Sequence, residues 1–557
     1  MTDTKTDDEI SARDVAKGAG TTLLARLGGV LEVVAQPLYI WLFGLAGYGF
    51  YGALWAATNL TQNVADLGTT GAMQRVIPQA TSAQKEAAAL RAALILGVVP
   101  CILIAITVFM LAEPVSKFFN ADARDSAQAT EIIRLFIWAL PLWSFVEVAT
   151  SALRARRIFG AEIRLRLFWE QLIRLLVVVS LFFAGWSTRA LYIGHLISLG
   201  ATCLLCVRLL AKNFDLRLMF KGPLVDDMFH ATLKAGLAVL PTNIALRIFG
   251  DGPAIALNAI LPGASGAVAT SLYIVARKIS SLVQLVRTAF AYVLAPLASA
   301  LSKDGKEKVS SIYGFSTRVL VTLALPLAAV LGAMGPTILP VFGPGVEQAL
   351  IAVWILLASR AFEAVCGAAA PIQQVVSAHR HQLVGSITGV VLAFVIGGYF
   401  TPQYGLNAMA WAVAIGLAAA SAIPMIQLNL HDDLHPFERP FLAVLLKALG
   451  VAIAGSLLIV AIQFVPLLAQ RVLFAGLVLV AFAFAPRVAI GLALVGLAEW
   501  VIETQFSLPA QLLSRLVTIV LMLPVVIGTL WLSLRLALPE ADRRAIGDKT
   551  ARKLRLV

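Results

Sequence analysis

Apolar runs of helical length recur along almost the whole chain, separated by short polar breaks. A run of about 20 apolar residues crosses the hydrocarbon core of a bilayer. The pattern therefore predicts twelve transmembrane spans, near 20–45, 49–72, 89–112, 130–153, 167–186, 190–211, 231–259, 266–298, 314–341, 346–377, 382–400 and 405–428. A second apolar block follows at 441–537. In it, spans at 441–465 and 513–537 flank a long apolar stretch at 471–502, which holds Pro486 and Arg487. Read as one helix, that stretch makes the number of crossings in the block odd. Broken at Pro486, it gives sixteen helices in all, with fourteen as the alternative. The expected fold class is thus an all-α polytopic membrane protein: two six-helix lobes around a central cavity, plus extra C-terminal transmembrane helices, 14–16 in total.

Composition agrees with this. Of 557 residues, 59% are hydrophobic and 13% charged, and mean hydropathy is +0.86, which excludes an ordinary soluble enzyme. The net charge of +13 would suit nucleic acid if it were clustered on a soluble surface. It lies instead in alternate loops. The N-terminal tail and the loops after spans 2, 4, 6 and 8 are basic, with Arg75 and Lys85, Arg154, Arg156 and Arg157, Lys212, Arg217 and Lys221, and Lys303, Lys306 and Lys308. The loops after spans 1, 7, 9 and 11 are almost free of Lys and Arg. The loop after span 3 balances Lys117 and Arg124 with Glu113, Asp122 and Asp125. By the positive-inside rule the N-terminus, the 429–440 loop and the basic C-terminal tail are cytoplasmic. The start, MTDTKTDDEISARD, lacks the basic and apolar parts of a secretory signal, so an uncleaved N-terminus is expected.

The organisation expected from the pattern is a cytoplasmic tail at 1–19, an N-lobe at 20–211 and an inter-lobe linker at 212–230. A C-lobe at 231–428, additional helices at 441–537 and a basic tail at 538–557 complete it. Cys101, Cys203, Cys206 and Cys366 all lie in apolar runs. The CLLC spacing of Cys203 and Cys206 has no second pair to complete a zinc site, so it reads as helix packing rather than metal or redox chemistry. The chain has no GxxxxGK[ST] phosphate cradle, which argues against ATP hydrolysis. No metal or other cofactor is expected.

Charges inside the spans carry the candidate chemistry, because an ionised group in hydrocarbon costs about 2.5 kcal/mol or more. Arg26 and Glu32 share span 1. Six residues at about 100° each point them to different faces. Arg26 either snorkels to the headgroups or faces a cavity, whereas Glu32 sits too deep to snorkel. In span 7, Arg247 and Asp251 are four apart and either pair along the helix or face a cavity. Span 8 carries Arg277, Lys278 and Arg287. Span 10 carries Arg360 and Glu363, three apart and able to pair. Glu170 and Arg174 form an expected structural pair in span 5. Glu147 and His195 read as lone intramembrane polar residues, and His195 as a satisfied interior histidine or a proton relay.

A faint parallel repeat joins the two six-span groups. LAGYGFYGALWAATN and LPGASGAVATSLYIVARKIS each carry a glycine-bearing hairpin followed by a tyrosine, Tyr51 or Tyr273. The stretch FGLAGYGFYGALWAATNLTQNVADLGTTGAMQRVIPQ resembles the helix 1–2 signature of the polysaccharide flippases. These belong to the multidrug/oligosaccharidyl-lipid/polysaccharide exporter superfamily. Gly44, Tyr48, Gly49, Tyr51, Asp66, Leu67, Gly68, Ala72, Arg75 and Ile77 fit the signature; Phe43 and Leu45 depart from it. The stretch RIFGDGPAIALNAILPGASGAVATSLYIVARKI is similar to the helix 7–8 segment, through Asp251, Tyr273, Ala276, Lys278 and Ile279. The likeness covers about the first 430 residues, and the extra C-terminal block exceeds the common twelve or fourteen helices.

The resemblance implies a lipid-linked oligosaccharide substrate on an isoprenoid pyrophosphate, and a bundle whose central cavity opens alternately to each side. On that basis Arg26, Arg247 and Arg277 are expected at the pyrophosphate, with Glu32 and Asp251 as counter-ions or coupling carboxylates. Glu147, His195, Arg287, Arg360 and Glu363 are further polar candidates for the cavity. Coupling to H+, Na+ or the membrane potential, a cell inner membrane location, and contacts with anionic lipids and other polysaccharide assembly proteins complete the expectation. Two alternatives stand beside it: a cation-coupled multidrug exporter of the same superfamily, for which surplus Asp and Glu would be needed, and a membrane glycosyltransferase or polymerase.

Overall fold

The computed structural model of the protein describes residues 30–156, 158, 163–186, 189–301, 306–376, 379–437, 439–465, 473 and 510–545. Every regular element among them is helical. Nine of the described helices are long and apolar enough to cross a membrane, or ten if the bent pair Asp227–Pro241 and Asn243–Ile260 counts as one span. The chain is therefore a multi-pass membrane protein. Helices and crossings are not the same count. Leu383–Asp432 covers 50 residues. At about 1.5 Å per residue this length is more than twice a ~30 Å hydrocarbon core. It holds predicted spans 11 and 12, joined through a kink at Gly405 (φ 59°, ψ −135°). Most of the 471–502 stretch lies outside the described residues, as does Arg26.

Two compact units emerge, and their bounds differ from those of the two six-span groups. One holds the described residues of Ala25–Ile274 and Val390–Val413; the other holds those of Val275–Gly389 and Ala414–Val557. Predicted span 7 thus falls in the same unit as spans 1–6.

In the first unit, α1 (Val30–Ala65) carries spans 1 and 2 across a kink at Gly44 (φ 75°, ψ 169°). The expected end of span 2 at residue 72 moves back to Ala65. The reason is local chemistry that hydropathy does not register. Leu67 (φ 52°) and Gly68 (φ 74°) are left-handed. The Asp66 carboxylate accepts from the Gly68 N–H at 2.9 Å and the Thr70 hydroxyl at 3.1 Å. The chain then resumes as α2 (Thr69–Gln79). A Cβ on Gly68 would overlap the Gly236 backbone, and one on Gly236 would overlap the Leu67 carbonyl. The two backbones meet there without side chains between them.

Next come α3 (Ala83–Met110), α4 (Ala129–Phe136) and α5 (Ala139–Ala155). A π-helical turn, Ile163–Trp169, leads into α6 (Glu170–Phe183), followed by α7 (Ala190–Asn213). Then α8 (Asp227–Ile260) returns along α1 and α2. Asp226 caps α8 by accepting from the Phe229 N–H at 2.8 Å. The same carboxylate takes the buried Arg91 guanidinium at 2.6 Å. Arg91 also donates to the carbonyls of Met219 (3.1 Å) and Lys221 (2.8 Å). The expected linker at 212–230 is therefore strapped to α3.

The helices α9 (Gly263–Leu301) and α13 (His379–Asp432) contribute residues to both units. The second unit is built around α10 (Lys306–Ile338), with α11 (Leu350–Val365) and α12 (Ala369–Val376) beyond it. Against α10 lie α14 (Arg439–Gln463) and α15 (Ala510–Leu536). Lipid tails are as apolar as leucine, so helices in a bilayer associate through close packing and polar links. Both operate here. Val321, near the middle of α10, packs with Phe441, Ala448 and Ala537, and Val330 and Met334, nearer its C-terminal end, with Ile459 and Met522. Ser533 donates to the Thr322 carbonyl at 2.7 Å, and Gln463 to that of Ala333 at 2.8 Å. The last described helix of the unit is α16 (Glu540–Ala545).

Candidate functional site

The most connected polar group in the first unit lies between α1 and α8. Asn59, Gln62, Asn63 and Asp66 recur at i, i+3, i+4 and i+7, which puts them on one face of α1. Opposite, Arg247 and Asp251 are one turn apart on α8. The rungs match. Asn59 Nδ2 donates to Asp251 Oδ2 at 2.6 Å, and Arg247 Nε donates to Asn63 Oδ1 at 3.1 Å. Asn63 Nδ2 also donates to the Gln62 side chain at 3.0 Å and to the Asn59 carbonyl at 2.8 Å. Gln62 Nε2 reaches Asp66 at 3.4 Å.

The ladder extends sideways. Trp143 on α5 donates its Nε1–H to Asn59 Oδ1 at 3.0 Å. The Arg166 guanidinium, from the π-helical turn, lies 4.5 Å from the centre of the Trp143 ring and pairs with Glu147 at 2.9 Å. A helix turn of this type often marks a functional position. Asn59, Gln62, Asp66, Trp143, Glu147 and Asp251 are buried, and Asn63 and Arg247 are half-buried. Chemically, the group combines amides that donate and accept, carboxylates that accept, an indole, and a guanidinium able to grip an anion.

Arg247 and Asp251 are brought to one ladder, but not to each other: an asparagine takes each. Glu147 is not the lone carboxylate expected, since the turn before α6 delivers Arg166 to it. His195 is not alone either. Its Nδ1 lies 2.8 Å from the Tyr51 hydroxyl, and its ring sits among Trp55, Phe136 and Tyr51 at centroid distances of 4.4, 5.5 and 5.8 Å. Glu170 and Arg174 form the expected pair within α6. The side chain of Glu32 lies outside the described residues.

Arg277, Arg287, Arg360 and Glu363 fall in the second unit. There the buried Glu363 carboxylate takes Arg360 at 2.6 Å and Arg287 at 3.4 Å. Two cations on one carboxylate leave a net positive group. Arg277 is half-buried on α9.

Asn59, Gln62, Asn63, Trp143 and Arg166 were not singled out from sequence. The spacing in NLTQNVAD was a usable signal: four amide or acid side chains on one face of an otherwise apolar helix need partners.

A family model described as "Polysaccharide biosynthesis protein" matches residues 42–343, more than half of the chain. Among solved structures, the lipid II flippase MurJ in an inward closed conformation superposes with a TM-score of 0.59 at 12% identity. It covers 91% of this chain and 97% of its own. An inward-facing multidrug resistance MATE family transporter gives 0.60 at 16% identity, covering 74% and 98%. A MOP superfamily transporter from Pyrococcus furiosus gives 0.57 at 15% identity, covering 76% and 96%. At these identities the likeness shows a shared fold. No curated protein sequence matches the chain.

Proposed function

Because this chain belongs to the polysaccharide biosynthesis protein family, we propose that it is a flippase for a lipid-linked oligosaccharide. It carries an isoprenoid pyrophosphate bearing a short glycan from the inner to the outer leaflet of the cell inner membrane, for surface polysaccharide assembly. The observation that carries this is the ladder between α1 and α8. Sugar hydroxyls both donate and accept, and amides and carboxylates answer both roles. A pyrophosphate needs a bidentate cation, which Arg247 supplies. Arg26 and Arg277 are the further candidates for an anion from sequence. The MurJ fold, whose namesake moves lipid II, supports the same substrate class.

Transport proceeds by alternating access, with substrate and membrane potential biasing two states. A potential of 100 mV acts with about 2.3 kcal/mol on each charge moved, enough to drive such a cycle. The alternation of basic loops supports cytoplasmic N- and C-termini. The protein catalyses no covalent step.

The test is a strain in which Arg247→Ala replaces the wild type. Lipid-linked sugar should accumulate on the cytoplasmic leaflet while surface polysaccharide falls. Normal surface polysaccharide would remove Arg247 from the site. Loss of drug resistance with intact polysaccharide would point to a multidrug exporter instead.

A further inference from the structure

We infer that Asn59 and Asn63 are positioning residues that hold Arg247 and Asp251 apart, so that the arginine fork stays available to an anion. The inference rests on the flippase proposal only for the identity of that anion, a pyrophosphate. Its physical basis is in the ladder itself. Arg247 and Asp251 are four apart on α8, the spacing at which opposite charges meet on a helix. In a low-dielectric interior such a pair would be strong. It does not form, and each partner is engaged by an amide from α1.

The orientation of both amides is fixed by chemistry. The Trp143 indole can only donate, so the atom of Asn59 facing it at 3.0 Å is the oxygen. The NH2 group must then face Asp251. Arg247 Nε likewise can only donate, so Asn63 turns its oxygen to the guanidinium. Its NH2 group is engaged with Gln62 and with the Asn59 carbonyl. The amides therefore sort the charges: a donor goes to the carboxylate and an acceptor to the guanidinium.

The bond to Asn63 uses Nε. That leaves the two Nη nitrogens, the pair that forms two parallel bonds to a phosphate. No carboxylate among the described residues forms an ion pair with Arg247. Among the described residues, the amide ladder thus holds a cation in place without neutralising it. A direct Arg247–Asp251 pair would hold it in place and neutralise it.

The experiment uses the full-length protein in lipid nanodiscs and measures binding of radiolabelled inorganic pyrophosphate. Asn59→Ala removes the amide donor that Asp251 takes from α1, and the carboxylate then competes for Arg247. Loss of the charge-assisted grip should weaken binding about 10–100-fold. Adding Asp251→Asn to the same chain removes the competing charge and should recover most of that loss. A packing role for Asn59 would not be rescued this way, because the indole N–H loses its acceptor in both variants. Asn63→Ala repeats the test from the arginine side, with the same loss and the same rescue, should Asn59→Ala fail to fold. Unchanged binding in the folded Asn59→Ala or Asn63→Ala protein, or a loss that Asp251→Asn does not reverse, overturns the inference. Arg247→Ala separates the two levels. If pyrophosphate binding survives it, the anion site at Arg247 falls and the positioning role falls with it. If only the asparagine variants behave otherwise than expected, the proposed function stands without the ladder's sorting role.

Discussion

Asp542 closes a two-point ion pair on Arg318, 224 positions earlier in the chain. Nε reaches one carboxylate oxygen at 2.6 Å and Nη2 the other at 3.0 Å. Both side chains are buried. The pair fastens α16 to α10 near the place where Ala537 packs on Val321. The tail that follows the last apolar run is basic by composition, yet among its described residues the one buried acid, Asp542, does the anchoring. Removing Asp542 takes the two-point carboxylate from a buried guanidinium, which is costly, whereas removing both is much cheaper. Asp542→Ala should lower stability by about 3 kcal/mol. The double change Arg318→Leu/Asp542→Leu should recover most of it. Thermal unfolding of the purified protein in detergent checks both.

Gly68 sits at φ 74° with the Gly236 carbonyl where its Cβ would be. A left-handed backbone costs a non-glycine residue about 1–2 kcal/mol. Overpacking against a neighbouring backbone adds about 1–3 kcal/mol. Gly68→Ala should therefore fold poorly, and more poorly than an alanine at Gly200, whose Cβ would meet nothing within 4 Å. Yield of monodisperse protein on gel filtration distinguishes them.

The connection between α3 and α4, where Asp125 sits in the short helix Ala123–Ser126, supplies a pH dependence. Burial, with Asp122 beside it, pushes the Asp125 carboxyl up to about 6, while Arg124 opposes this. A carboxyl raised in the folded state stabilises the fold below its unfolded value near 4. That contribution is lost as pH rises through about 6. Asp125→Asn should thus raise the unfolding midpoint at pH 7–8 and leave it little changed at pH 4. The gain is on the order of 1 kcal/mol once solvent screening is allowed for. Unfolding midpoints across pH 4–8 give the answer, and an equal effect at both ends would contradict the assignment.

Arg91 straps the segment before α8 by two carbonyls and one carboxylate. Arg91→Met keeps much of the volume and loses all three bonds. Beyond the end of α7 at Asn213, the strapped segment offers trypsin two sites, Arg217 and Lys221. Both should be cut faster in the variant, on the order of tenfold, if the strap contributes about 1.4 kcal/mol to local closing. Unchanged digestion would mean that the segment is held by other contacts.

The chain itself determined that this is a helical membrane protein. Hydropathy acts one residue at a time, and a bilayer demands long apolar runs whatever the tertiary arrangement. The family likeness was legible for a related reason: the helix 1–2 motif records local backbone needs. Asp66 and Gly68 build a left-handed turn out of residues within four positions of one another. The pairs Glu170–Arg174 and Arg360–Glu363 were legible because helix geometry fixes their neighbours.

Only the tertiary structure decided the rest. Arg247 and Asp251 satisfy the same spacing rule, yet Asn59 and Asn63, some 190 residues away in sequence, separate them by engaging one each. Glu147 gains Arg166, and His195 gains Tyr51, from segments that no local pattern connects. A hydrogen bond in a membrane goes to whichever partner packing brings within reach, and reach between distant segments is set by the fold rather than by composition or spacing.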